Sequence, residues 1–255
     1  MSNPDSDSAM CDKYDACNNT GAIAQDDPLF IRSQALIGAE GVELLRKLRV
    51  AVFGIGGVGG YTVEILARAG VGTLYLIDGD TIGVSNINRQ LYALHSTIGQ
   101  YKTAAAAARI ADINPACTVH QVVQHILPDA DGSLSFLPLL SDIDCIVDAV
   151  DTISLKVALA AEAENHDIPI VAAMGCGNKL RADLFQFADI YDTAVCPLCK
   201  TMRGLLKKRG VKKLRVLYSK EVPAVRSRPP SSVSWVPAAA GILLAGDLLN
   251  QILQS

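Results

Sequence analysis

One stretch limits what this chain can fold into more than any other. It is "VAVFGIGGVGG" at residues 50–60, followed by "LYLIDGD" at residues 74–80. An apolar run leads into a glycine-rich turn, a helical segment, a second apolar run and an acid. Gly54, Gly56 and Gly59 form the pattern G-x-G-x-x-G, with Gly57 and Gly60 beside them. A side chain at these positions would block the turn, the approach of phosphate to backbone, or the packing of helix on strand. The helix that follows presents N–H groups and the positive end of its dipole to an anion. Asp78 closes the second strand, where an acid receives a ribose hydroxyl. The alternative for Asp78 is a solvated carboxylate at a strand end. The unit reads as a nucleotide-binding βαβ, and by itself it suggests NAD.

The remaining pattern extends this unit. Helical spacing is predicted for "SQALIGAEGVELLRKL" before it and for "GVGGYTVEILARAG", which Gly70 closes. "GQYKTAAAAARIADINP" is a run of strong helix formers ended by Asn114-Pro115. "CTVHQVVQH", "DIDCIVDAV" and "IPIVAAMG" read as strands, and "DTISLKVALAAEAENH" as a helix with a good N-cap. Strands separated by helices give an α/β fold: a Rossmann-like, doubly wound, mostly parallel sheet with ligands at the carboxyl ends of its strands. After Lys179 the alternation weakens into an added C-terminal segment. There "LRADLFQFADI" and "KKLRVLYSKE" are strands, "CPLCKTMRGLLKKRG" a basic helix, "VPAVRSRPPSS" a loop and "VPAAAGILLAGDLLNQIL" a closing helix. The expected organisation is a tail at 1–27 and a single domain at 28–255. That domain divides into a nucleotide-binding part at 28–179 and a C-terminal part at 180–255.

Charge separates these regions. The 255 residues carry a formal net charge of −3, which does not mark a general nucleic-acid binder, and no DNA partner is expected. The first 27 residues hold six acids and one base without apolar periodicity, the composition of a disordered tail. They lack the basic start and apolar run of a signal peptide. Seven scattered cysteines without an export signal indicate a reducing cytoplasm and mostly free thiols. The longest apolar run, "WVPAAAGILLAG", ends at Asp247 and is too short for a bilayer, so no membrane span is expected.

The residues after Asp78 decide between a redox cofactor and an activating nucleotide. "DGDTIGVSNINRQ" packs Asp80, Asn86, Arg89 and Gln90 directly behind the ribose acid. Arg89 offers a planar donor fork suited to phosphate. Lys102 heads the next helix and supplies a point charge. Asp151, after the strand "CIVDAV", fits a Mg²⁺ ion on phosphates, or alternatively a helix N-cap. Two cations and a metal around a triphosphate suit ATP cleavage, where negative charge accumulates. Hydride transfer has no use for them.

Taken together, "GIGGVG…LIDGDTIGVSNINRQ…GQYK…VDAVD" resembles the ThiF/MoeB adenylating superfamily, related to ubiquitin-activating enzymes. The resemblance runs from about Phe30 to the C-terminus. It implies that the glycines at 54–59 hold phosphates and Asp78 binds ribose. It further implies that Asn86, Arg89, Gln90 and Lys102 surround the phosphates and an incoming carboxylate, and that Asp151 carries Mg²⁺. Arg32 in "FIRSQALIG" matches an arginine that reaches into a neighbour's ATP site, which implies a homodimer; a surface arginine is the alternative. The tail, from "DIYDTAVCPLCKTMRGLLKKRGVKKLRVLYSKE" to "SSVSWVPAAAGILLAGDLL", resembles the tRNA threonylcarbamoyladenosine dehydratase branch. That branch adenylates the carboxylate of N6-threonylcarbamoyladenosine in tRNA and closes it into a cyclic form. The superfamily also activates ubiquitin-like sulfur carriers, so adenylation of such a carrier is the alternative function, and a sulfur-transfer or ubiquitin-like protein is a further partner.

Three features bear on this choice. Residues 200–215 hold Lys200, Arg203, Lys207, Lys208, Arg209, Lys212, Lys213 and Arg215 with no acid, a patch suited to tRNA phosphates or simply a solvated helix face. Cys196 and Cys199 form one CxxC pair where the sulfur-carrier activators have two. Three readings remain: half of a zinc site completed by His95, His120, His125 or His166, a redox pair, or two ordinary thiols. Cys176 in "MGCGN" is either a thiol at the mouth of the sheet or a small residue in a tight turn.

Overall fold

A computed structural model describes residues 27–134, 142–225, 227 and 229–254. The expected acidic tail falls, apart from Asp27, outside the described residues. Seven strands form one sheet: β1 (Arg49–Phe53), β2 (Thr73–Ile77), β3 (Thr118–Val122), β4 (Cys145–Asp148), β5 (Ile170–Ala173), β6 (Phe185–Asp189) and β7 (Arg215–Ser219). Their order is β3-β2-β1-β4-β5-β7-β6, parallel throughout except for β6, which runs antiparallel to β7. β6 and β7 therefore continue the same sheet beyond β5. The order reverses between β1 and β4, so a crevice opens at their carboxyl ends.

Alternation along the strands supplies two core faces. Val50 and Val52 point into one apolar cluster with Leu66, Leu74, Ile110 and Leu244, while Ala51 and Phe53 point into the other with Ile146, Leu155 and Leu159. The first face is covered by α1 (Ile31–Lys47), α2 (Gly59–Ala69), α3 (Lys102–Ile113) and α6 (Trp235–Gln254), the second by α4 (Ile153–Asn165). A third cluster packs α5 (Pro197–Lys208) against β5 and β7 through Cys199, Met202, Leu206 and Val216.

Several local expectations change. The helix predicted over 33–48 is kinked at Gly38, whose φ is +75°. α4 lacks the good N-cap: Thr152 occupies the position without a side-chain capping bond. The closing helix expected over 236–253 is present as the 20-residue α6; its apolar run of a dozen residues is short for a bilayer, but the helix as a whole, with a mean hydropathy of 1.5, is long and apolar enough to cross one. It instead packs Val236, Ala240, Leu244, Ala245 and Leu248 into the core. Its Gly241 lies so close to α2 that a Cβ there would sit 2.3 Å from the Val58 carbonyl oxygen, and Thr62 Oγ1 donates to the Gly241 carbonyl at 3.0 Å. α6 thus buttresses the start of α2, which carries the glycine turn.

Candidate active site

The glycine turn is held from both sides. Gly54 has φ +84°, a left-handed conformation, and its N–H donates to the Ile77 carbonyl at 2.8 Å. A Cβ on Gly59 would stand 1.8 Å from the Gly54 carbonyl oxygen, so the helix can start this close to the turn only with glycine there. Gly56 meets nothing nearer than Gln90 Nε2 at 3.8 Å, which leaves its backbone open to a ligand.

Asp78 is not a solvated carboxylate. Its side chain is 8% exposed, its Oδ2 accepts from the Ile55 N–H at 2.7 Å, and its Oδ1 accepts from the Asp80 N–H at 2.8 Å. The acid therefore fixes the turn that follows β1 as well as facing the cleft. The segment after it is pinned to the start of α3 by a bridge between Thr81 and Tyr101 and by the Lys102 N–H on the Asp80 carbonyl at 3.1 Å. This brings Lys102 back beside the acids, with Nζ 2.5 Å from Asp80 Oδ2 and 3.5 Å from Asp78 Oδ2. Its side chain is nearly buried, so the ammonium is held as a fixed point charge.

Asn86 Oδ1 accepts from the Gly83 N–H at 3.0 Å and shapes a 3-10 turn at Val84–Asn86. From that turn Arg89 projects, with Nη1 donating to the Ser85 carbonyl and to Asn88 Oδ1, both at 2.9 Å. Tyr92, buried two residues beyond Gln90, donates from its hydroxyl to the Gly60 carbonyl at 3.0 Å and so sets this segment against the glycine turn. Asp151 is exposed at the α4 end, its carboxylate 3.5 Å from Thr152 Oγ1. It does not cap the helix and remains available to the cleft.

These residues surround one cleft of about 810 Å³. Gly54, Gly56, Gly57, Asp78, Asp80, Asn86, Arg89, Gln90, Lys102 and Asp151 all line it. Gly59 stands behind the turn, and Arg32, exposed on the first turn of α1, is not among the lining residues. The sequence reading missed Ser85, Gln124, His125 and Ser232 on the same wall. It also missed Lys156, whose Nζ donates to Asp148 Oδ1 at 3.0 Å and to the Ala173 carbonyl at 2.7 Å. This buried pair ties the ends of β4 and β5 together beneath the cleft. Burial raises the Asp148 carboxyl, against the pull of Lys156. A lone lysine in the apolar helix "ISLKVALAAEA" was the available signal.

The thiols divide by surroundings. Cys176 lines the cleft, and burial pushes its thiol up to about 12, so it is neutral near pH 7. Cys196 is the N-cap of α5, and a hydrogen bond from Cys199, together with backbone hydrogen bonds from Cys199 and Gly175, pulls its thiol below the usual value while Cys199 rises. Among the described residues no cluster of three or more His, Cys, Asp or Glu side chains is placed to hold a metal, so none of the four histidines completes a zinc site with this pair.

The basic segment divides as well. Arg203 Nη1 donates to the Thr193 carbonyl at 2.9 Å, and Arg215 pairs with Asp247 at 2.7 Å. Arg209 packs against Gly132. Lys200, Lys207, Lys208, Lys212 and Lys213 are exposed.

Comparison with known proteins agrees with this geometry. Residues 31–255 match the ThiF family. The tRNA threonylcarbamoyladenosine dehydratase of Bacillus subtilis (strain 168) is 38% identical over 244 residues, which cover 88% of this chain and 94% of that protein. Among solved structures, the E. coli tRNA N6-threonylcarbamoyladenosine dehydratase in complex with ATP shares 29% identity with a TM-score of 0.82, covering 91% of this chain and 98% of that one. The same protein in complex with AMP gives 30% identity and a TM-score of 0.82.

Proposed function

The chain belongs to the ThiF family, and from that premise we propose that it is an ATP-dependent tRNA threonylcarbamoyladenosine dehydratase. ATP lies in the cleft with its phosphates over Gly54–Gly57 and the N-terminus of α2 and its ribose toward Asp78. Lys102 and Arg89 flank the triphosphate, and Asn86 and Gln90 complete the wall that receives the carboxylate. That carboxylate belongs to N6-threonylcarbamoyladenosine in tRNA. It attacks the α-phosphorus, pyrophosphate leaves, and charge growing on the phosphoryl oxygens meets donors already in place. The activated carboxyl is then captured within the same nucleotide, giving the cyclic form and AMP, with loss of water overall. An intramolecular nucleophile has a high effective concentration and needs no enzyme thiol, which agrees with the neutral Cys176 in the cleft.

Asp151, exposed and not spent on capping, fits a Mg²⁺ ion held mainly by phosphate oxygens with one protein carboxylate. When bound, that ion would neutralise phosphate charge. The five exposed lysines of 200–213 supply the tRNA contact by counterion release. Arg32 serves the partner's cleft in a homodimer. The cytoplasm is the proposed setting, one in which ATP and tRNA are both at hand.

The observation that carries this reading is the convergence of the glycine turn, Asp78, Arg89, Gln90, Lys102 and Asp151 on one cleft. Its test is AMP release from ATP with tRNA bearing the threonylcarbamoyl group and with the same tRNA lacking it. AMP formed only with the modified tRNA, together with conversion of the base to its cyclic form, is the expected result. AMP formed instead with a ubiquitin-like protein ending in Gly-Gly would overturn it in favour of sulfur-carrier activation.

A further inference from the structure

One wall of the cleft includes Cys176, Gly177 and Ser232, beside the Asn178 of the sequence "MGCGN". β5 runs into the turn Gly175–Asn178, and residues 229–233 cross in front of it before α6 begins. Asn178 has φ +62°, the left-handed conformation in which asparagine is enriched over other side chains, and every polar group it owns is engaged. Its N–H donates to the Ser231 carbonyl at 2.7 Å and its carbonyl accepts from the Ala224 N–H at 2.8 Å. Its Oδ1 accepts from the Ser231 N–H and from Ser227 Oγ, both at 2.7 Å, and its Nδ2 donates to the Ser227 carbonyl at 3.5 Å. Gly177 presses on the same segment: a Cβ there would lie 2.6 Å from Pro230 Cβ.

The strap has a second anchor. Asn88 Nδ2 donates to the Ser232 carbonyl at 3.2 Å, and Asn88 Oδ1 accepts from Arg89 Nη1 at 2.9 Å. A path of hydrogen bonds, linked through the Ser231–Ser232 peptide bond, therefore runs from Asn178 to Asn88 and on to the Arg89 guanidinium. Cys176, Gly177, Ser232 and Arg89 all line the cleft, whereas Asn178 does not. Asparagine tolerates the left-handed conformation better than other side chains, and here its amide is spent wholly on holding one segment.

We propose that Asn178 is a positioning residue for the carboxylate-activating step: it holds the 229–233 strap across the acceptor end of the cleft and, through Ser232 and Asn88, aims Arg89. The inference rests on the reading of the cleft as an adenylation site, with Arg89 facing the reacting carboxylate. The hydrogen bonds of Asn178 go to Ala224, Ser227 and Ser231 and none to Asp78, Asp80 or Lys102, so its role falls on the acceptor and not on nucleotide affinity.

Asn178→Gly tests this, because glycine keeps the positive φ and removes only the side-chain bonds. In the full chain, ATP affinity should stay within about twofold and thermal stability nearly unchanged, while kcat/KM for modified tRNA falls by tenfold or more; a displacement of about 1 Å can cost on the order of 10²-fold. Asn178→Asp keeps the Oδ acceptors for Ser231 and Ser227 and should recover most of that loss. Ser231→Pro removes the same hydrogen bond from the other side and should reproduce the glycine variant. If Asn178→Gly turns over modified tRNA as the unaltered protein does, or if ATP affinity and stability fall in parallel with turnover, the proposal is wrong. Absence of AMP from the unaltered protein would instead refute the adenylation reading itself, so the two failures are distinguishable.

Discussion

Replacing Lys102 with Met keeps the length and apolar stem of the side chain and removes its charge. Removing one member of a buried ion pair costs about 3–5 kcal/mol. Two features of this site reduce that figure. The Asp80 side chain is 54% exposed, so its carboxylate returns to water, and exposed pairs are worth roughly 0–1 kcal/mol. Asp78 keeps the Ile55 and Asp80 N–H donors at 2.7 and 2.8 Å, so its carboxylate is not stranded. The expected stability loss is then about 1–2 kcal/mol, a fall of a few degrees in Tm for a chain of this size. The catalytic loss is separate. Withdrawing a fixed charge aimed at developing phosphate charge costs on the order of 10²–10³ in rate. Urea denaturation, ATP titration and AMP release with modified tRNA measure the three quantities. A variant that loses the full 3–5 kcal/mol typical of a buried pair yet releases AMP at the normal rate would show that Lys102 is a structural counter-ion for Asp78, and the assignment of the phosphate site would fail with it.

Other outcomes follow from the same geometry. Arg89→Ala removes hydrogen bonds only to Ser85 and Asn88, so denaturation midpoints should move little while AMP release falls by about 10²-fold or more. Cys176→Ala should leave AMP release within about threefold, because a thiol at about 12 is ionised in only about one molecule in 10⁵ at pH 7; abolished activity would demand a covalent step. For Glu64, burial pushes the carboxyl up, but bonds from Arg109 and Arg68 at 2.7 and 2.8 Å outweigh it and hold it below its usual value. Its unfolded form takes up a proton first, so the stability it lends α2 and α3 is present above the usual carboxylate range and disappears as pH falls through the folded value. Glu64→Gln should flatten the acid limb of the stability curve below about pH 4.5 and leave the rest of its shape; an unchanged acid limb would show that the pair contributes nothing.

Legibility in the sequence tracked locality. The glycine turn was readable because its requirements, a positive φ at Gly54 and no Cβ at Gly59, are met within six residues. The adenylation block was readable because Asp78 to Gln90 is contiguous. Lys102 was readable as a cation but not as a partner of Asp78 and Asp80, since a bridge from Thr81 to Tyr101 folds it back. The charge of residues 200–215 was plain, yet Arg215 is paired with Asp247, 32 residues away, and so contributes less to the free surface than its type suggests. The closing helix was readable over 236–253, within one residue of α6 at each end; its capacity by length and composition to cross a bilayer was not, because Asp247 ends the apolar run without ending the helix.

The parallel strand–helix alternation, the nucleotide turn and the chemistry of the activating block are all local properties of the chain. Each depends on the period of apolar residues, on backbone freedom at glycine, or on donor and acceptor types within a few positions of one another. Which of those groups share a cleft, and what holds them there, depends on contacts between distant segments. The Asp148–Lys156 pair beneath β4 and β5 and the Asn178 path to Arg89 are the two examples. They join residues 8 apart across two elements in the first case and 53 and 144 apart in the second. No local preference encodes such bonds. The first exists because burial excludes water and makes an unpaired charge costly; the second, whose bonds are exposed, exists because the chain path brings residues 229–232 against Asn178 and Asn88.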